Sequence, residues 1–144
     1  MAAEYFAIQS QFVAEDANLA FLDGDRACRK GYVTHRSGSG VFRLKGVNNC
    51  GKTIYRVTFG ANVAIAPADD GGVLAPVSVA LTEDGEPILT ATVTPAAIGD
   101  FFSIERSTFI IIPCGCCVTI GLRNDTDGSS IEVTDANIII DRVA

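Results

Sequence analysis

The stretch GVNNCGKT (Gly46–Thr53), followed by IYRVTFGANVAI (Ile54–Ile65), decides the fold. Its first eight residues satisfy G-x-x-x-x-G-K-[ST]. In a phosphate-cradling loop of that pattern, glycine amides surround the phosphates, Lys52 would reach the outer ones and Thr53 would hold magnesium. The chemistry needs a helix directly after the loop, because the helix N-terminus anchors the anion. The residues that follow are β-branched and aromatic, with period two, so they predict a strand over Thr53–Ile65. Tyr55, Val57 and Phe59 fall on one face of it, Arg56 and Thr58 on the other. Ile138–Asp141 (IIID) looks like the second strand of a nucleotide site, but such a run is cheap in a strand-rich chain. The glycine loop is therefore read as a connection between strands.

The same period extends in both directions. Strands are predicted at Tyr5–Ala14, Ala17–Leu22, Gly31–His35 and Val41–Lys45, then at Val73–Thr82, Ile88–Thr94, Phe101–Ile112 and Cys116–Arg123. Ile131–Thr134 and Ala136–Val143 close the chain. Pro and Gly make Ala66–Gly72 a loop, and Pro95–Gly99 has room for one helical turn. In the Val73–Thr94 hairpin, pairing Leu81 with Leu89, Val79 with Ala91 and Val77 with Val93 puts the apolar faces together. That register implies a five-residue loop, Glu83–Pro87, and spares Pro87 a ladder bond it cannot donate. About ten short strands with turns every 8–12 residues predict an all-β antiparallel sandwich or barrel. No repeat or second domain is visible, so residues 1–144 are read as one domain. Residues 1–20 form an N-terminal strand or an arm that docks on a neighbour.

Composition agrees. The chain has 144 residues and is 48 % hydrophobic and 19 % charged, which excludes a disordered chain. A net charge of −6 argues against nucleic acid as a partner, since binding it needs a basic footprint. The N-terminal residues lack the charged and apolar pattern of a secretion signal. The most apolar run, Phe109–Leu122, is broken by Pro113 and Gly115 and is too short for a membrane helix. A soluble protein made in a reducing cytoplasm is expected, with no membrane partner.

Other motifs have plain readings beside the chemical ones. Among the five cysteines, Cys114 and Cys116 share a strand face and are the weak metal candidates, with Cys28 or Cys50 as further ligands. The cysteines also suit small apolar packing, or one disulfide formed after release from the cell. His35 has Ser37, Ser39 and aspartates within reach on paper, but no nucleophile elbow accompanies it. The acidic turns Asp23–Asp25, Asp69–Gly72 and Asn124–Gly128 suit calcium or, more simply, solvent; Arg123 and Thr134 stand where an EF-hand needs ligands. Asn124-Asp-Thr126 fits a glycosylation sequon. No catalytic residue and no cofactor are assigned.

Phe109–Ile112, Cys116–Ile120 and Ile138–Ile140 are apolar on both faces. Ile110 and Ile112 point one way and Ile111 the other. Covered on one side only, such strands would leave exposed patches that monomers rarely carry, so self-association through a sheet face is expected.

Several segments together resemble the tumour-necrosis-factor/complement-head jelly rolls, in particular the bacterial and phage branch with the exosporium collagen-like glycoprotein C-terminal domain. They are Gly31–His35, the Ser37–Gly40 turn with Val41–Lys45, Tyr55–Gly60 and the Val73–Thr94 hairpin, then Pro113–Asn124 and Ala136–Ala144. The pattern covers residues 20–144. Thr53 stands where that family often has Gly, and no Gly-X-Y stalk is present. The resemblance implies a jelly-roll homotrimer built around an aromatic strand face, on which Tyr55, Val57 and Phe59 match by position as trimer-interface residues. The expected role is a non-enzymatic phage virion protein made in the host cytoplasm. It would be a capsid decoration or a head or tail fibre module. Its partners would be its own copies, capsid or other virion proteins and a host-surface glycan. The alternative is a bacterial surface or spore-coat trimer that binds glycans or a receptor.

Overall fold

The computed structural model describes residues 2–28, 31–46, 51–113 and 115–144. Among the described residues the chain forms eleven strands. They are β1 (Ala2–Ala7), β2 (Gln11–Val13), β3 (Leu22–Asp23), β4 (Val33–Thr34), β5 (Val41–Lys45) and β6 (Thr53–Ile65). After a short 3-10 turn at Ala68–Asp70 come β7 (Val77–Glu83), β8 (Glu86–Val93), β9 (Phe102–Ile112), β10 (Cys117–Asn124) and β11 (Ile131–Arg142). They make two antiparallel sheets. The first runs β3-β1-β11-β6-β9, with β2 beside β11. The second runs β4-β5-β10-β7-β8. This is the expected all-β sandwich.

Thr53 opens β6, so a strand rather than a helix follows the glycine loop. Val47–Cys50 of that loop, and Cys114, lie outside the described residues. The inward faces of both sheets fill one core. Tyr5, Tyr55, Phe21, Phe42 and Phe59 supply its largest buried side chains, with Leu19, Leu44, Leu81 and several isoleucines between them.

The hairpin register is as expected: Val77 pairs with Val93, Val79 with Ala91 and Leu81 with Leu89. Its loop differs. Instead of five residues, a two-residue turn at Asp84-Gly85 connects Glu83 to Glu86, and the register shifts between Leu81 and Thr82. Asp84 and Gly85 both have positive φ, 50° and 88°, the conformation of a type I′ turn. Ile88 is left as the extra residue of a bulge. The tight turn and the matched apolar faces are therefore compatible, at the expense of one unpaired residue.

The last strand is also one element rather than two. Asp135, with φ 49°, forms a bulge between Thr134 and Asn137, and β11 continues through it. The opposing strand breaks at the same height: β1 pairs with Ala136–Asp141 and β2 with Ile131–Val133. Residues 8–10 leave the ladder there, and the Asp135 amide donates to the Ile8 carbonyl. Residues 2–7 thus form a strand of the chain's own sheet.

Ala17–Leu22 does not form the expected strand; only an Asn18–Arg123 bridge and β3 appear. Its alternation is real, since Leu19 and Phe21 are fully buried. The Gln11 side chain, however, bonds both the amide and the carbonyl of Ala20, at 3.0 Å each, and so replaces a ladder partner. Pro95–Gly99 forms a bend and turn, not a helical turn.

Candidate functional site

Alternation sorts the first sheet into an inner and an outer face. The inner face carries Tyr55, Val57 and Phe59, each 0 % exposed within the single chain. These side chains have no surface to offer a second copy, which corrects the expectation that they form the trimer interface. The period-two reading of β6 is sound, but its aromatic face turns into the sandwich, and Tyr55 donates from its hydroxyl to the Lys45 carbonyl at 2.6 Å.

The outer face carries the surplus. On β9, Ile110 and Ile112 are buried while Phe109 and Ile111 are 59 % and 51 % exposed. Ladder pairing sets Ile54 of β6 beside Ile111, and Arg56 beside Phe109. Arg56 in turn pairs with Asp141 at 3.2 Å. Val143, also exposed, donates its amide to the Ile54 carbonyl, so it borders the same patch. The middle of the face is small and polar, with a Thr58–Ser107 hydrogen bond at 3.0 Å and an Asn62–Ser103 bond at 2.6 Å.

A trench runs along β1 on this outer face. Its apolar part, about 500 Å³, is lined by Phe6, Ile8, Gln11, Ala20 and Leu22. Ile8 is 68 % and Leu22 55 % exposed. The neighbouring part, about 400 Å³, shares Phe6 and Ile8 and adds Glu4, Asp25, Arg26, Asp135 and Asn137. Glu4 accepts hydrogen bonds from Arg26 and from the Asn137 amide. These donors, Arg26 first, hold its carboxyl below the ordinary range. Gly24 seats the Phe6 ring: a Cβ there would lie 2.4 Å from the ring tip.

The other sequence candidates are dispersed. His35 does meet Asp23, and its side chain is 0 % exposed. Its other nitrogen donates to the Ser39 carbonyl at 2.8 Å. The nearby hydroxyls are used locally: Ser37 Oγ accepts from the Asp23 amide and Ser39 Oγ from the Val41 amide. The cluster is a packed clamp, and among the described residues both imidazole nitrogens are taken by Asp23 and the Ser39 carbonyl rather than by a nucleophile. Cys116 and Cys117 are exposed free thiols, and Arg43 lies 3.4 Å from Cys117 Sγ. No group of three or more His, Cys, Asp or Glu able to hold a metal occurs among the described residues. In the Asn124–Gly128 turn, Asp125 pairs with Arg123 through both carboxylate oxygens. Asn124 is fully buried and spends its amide group on Val13 and Ser129 carbonyls, so the sequon asparagine is inaccessible in the folded chain.

The exposed apolar residues of β9 were signalled by the Ile110–Ile111–Ile112 run. The trench was not, because Glu4, Asp25, Asp135 and Leu22 are brought together only by the β1–β3 pairing and the β11 bulge.

No family model matches the chain, and no curated protein matches it in sequence. Solved structures do share its shape. Eiger TNF from S. frugiperda aligns over 100 % of this chain and 92 % of its own, with TM-score 0.74 and 13 % identity. The globular domain of zebrafish complement 1qA protein aligns over 99 % and 97 %, with TM-score 0.69 and 10 % identity. Murine APRIL aligns over 98 % and 99 %, with TM-score 0.55 and 9 % identity. The chain is an antiparallel jelly roll with the fold of tumour-necrosis-factor-like and complement-head domains.

Proposed function

We propose that this chain is a non-enzymatic structural module that works as a homotrimer, displayed on a phage particle as a capsid decoration or a head or tail fibre unit. The observation that carries the reading is the outer face of the first sheet. Phe109 and Ile111 stand exposed beside Ile54, and Ile8 and Leu22 stand exposed across the same layer. Apolar area of this kind is favourable to cover, at about 25 cal/mol per Å². The two patches differ in residues and shape. A ring in which one patch meets the other on the next copy closes with cyclic symmetry. The jelly-roll likeness supports a closed trimer over an open chain of subunits. Free, exposed Cys116 and Cys117 suit assembly inside a reducing cell before release.

Light scattering after size exclusion tests the assembly: three times the 15.1 kDa chain mass is expected at micromolar concentration. Electron microscopy of particles from the producing cells, labelled through Cys116, tests the location. Label on threefold positions of a virion supports the proposal, and a monomer absent from particles refutes it.

A further inference from the structure

The trench and the opposite edge of the sandwich are complementary in charge as well as in apolar character. Among the described residues, Glu4, Asp25 and Asp135 line the trench against one cation, Arg26. Covering that groove with an uncharged surface would strip water from three carboxylates with one guanidinium to balance them, which is unfavourable. The partner surface must therefore bring a cation. At the far edge β8 and β9 come together from the two sheets, and the one basic residue on these two strands is Arg106. It is exposed, and its Nη1 donates to the Thr90 carbonyl at 3.1 Å, which lays the side chain across the gap between β9 and β8. Phe102, Phe109 and Ile88 are exposed on the same two strands.

We propose that in the trimer Arg106 of one copy enters the acidic trench of the next, among Glu4, Asp25 and Asp135, and fixes which sheet edge meets which sheet face. The inference rests on the homotrimer reading above. A planar guanidinium suits this place, because it can bridge two carboxylates at once. Its role is register: apolar contacts alone would tolerate sliding, whereas a buried charge pair penalises every misaligned docking.

Charge reversal tests this. Arg106→Glu places a fourth carboxylate in the trench and is expected to weaken assembly on the order of ten- to a hundredfold. Asp25→Arg alone is expected to weaken it as well. The double variant restores trimers at least tenfold over Arg106→Glu. Circular dichroism and thermal melts run alongside, since both sites are exposed and the monomer fold is expected to survive. If Arg106→Glu leaves the wild-type trimer intact, or the double variant shows no recovery, the pairing is wrong while the trimer stands. If the wild-type chain is itself a monomer, the trimer reading falls first.

Discussion

The His35 imidazole lies nearly flat on the Phe42 ring, with centres 4.2 Å apart and planes 13° apart. Tyr5 meets the same imidazole edge-on at 4.9 Å. Asp23, at the end of β3 in the first sheet, and Ser39, in the turn leading to β5 of the second, hold its two nitrogens. A side chain that looked like a candidate catalyst is thus a clamp between sheets. His35→Ala removes the stack and both hydrogen bonds and is expected to lower stability by about 2–4 kcal/mol in urea unfolding. His35→Phe keeps the ring and is expected to lose about half of that.

The two faces of the first sheet predict opposite phenotypes. Phe59→Ala empties a core site and is expected to cost about 3–5 kcal/mol of folding stability. Phe109→Lys is expected to leave the melting temperature of the monomer nearly unchanged and to abolish the trimer. A trimer that persists with Lys at position 109 would remove that patch from the interface.

How much of this was legible depends on the range of the interaction. Alternation along Thr53–Ile65 and Val41–Lys45 gave both strands to the residue, because period two acts within one segment. It also separated Ile111 from Ile110 and Ile112. It could not tell which face of β6 was inner, since Tyr55, Val57 and Phe59 look equally suited to a core or a contact. Arg56 on the opposite face was the better clue: it reaches Asp141 across the ladder on the outer side. The Asp135 bulge escaped because it sits where the opposing strand breaks, its amide donating to the Ile8 carbonyl more than a hundred residues away, and nothing in the local sequence marks that meeting.

The Asp84-Gly85 turn gives a sharper case. Gly85→Ala introduces a Cβ at φ 88° and is expected to cost about 1–2 kcal/mol. Asp84→Asn is expected to be nearly neutral in conformation, as asparagine favours the same region, but it weakens the bond that Asp84 Oδ1 accepts from the Thr119 amide. Equilibrium unfolding of the two variants separates backbone strain from that side-chain contact.

Asn124 ties three regions together. Its amide donates to Val13 and Ser129, and its carbonyl oxygen accepts from the Thr126 amide. Thr126 Oγ1 in turn accepts from the Ser78 amide at the start of β7. Asn124→Ala leaves these buried groups without partners and is expected to cost about 2–4 kcal/mol. Hydrogen exchange should show the loss concentrated in residues 125–130 and in the β7 entry, with the β8–β9 edge unaffected.

Stability should decline at both ends of the pH scale, for opposite reasons. Glu4, held down chiefly by Arg26 and then by Asn137, is more acidic folded than unfolded. Its contribution is present above the ordinary value near 4.5 and is lost as pH falls through the folded one. Arg26 is mostly exposed, so solvent screens the pair and Glu4→Gln should flatten the acid limb only slightly. Tyr5 and Tyr55 go the other way: burial raises both phenols above their ordinary value near 10. The folded state then keeps protons that the unfolded chain has released, so stability is whole below about pH 10 and falls as pH climbs toward the folded values. Urea midpoints measured at neutral pH and stepwise to about pH 11 should drop steeply for the wild-type chain. In Tyr55→Phe the midpoint at neutral pH is lower, because the bond to the Lys45 carbonyl is gone, and the alkaline slope is shallower. An unchanged slope would mean that Tyr55 ionises without leaving the core.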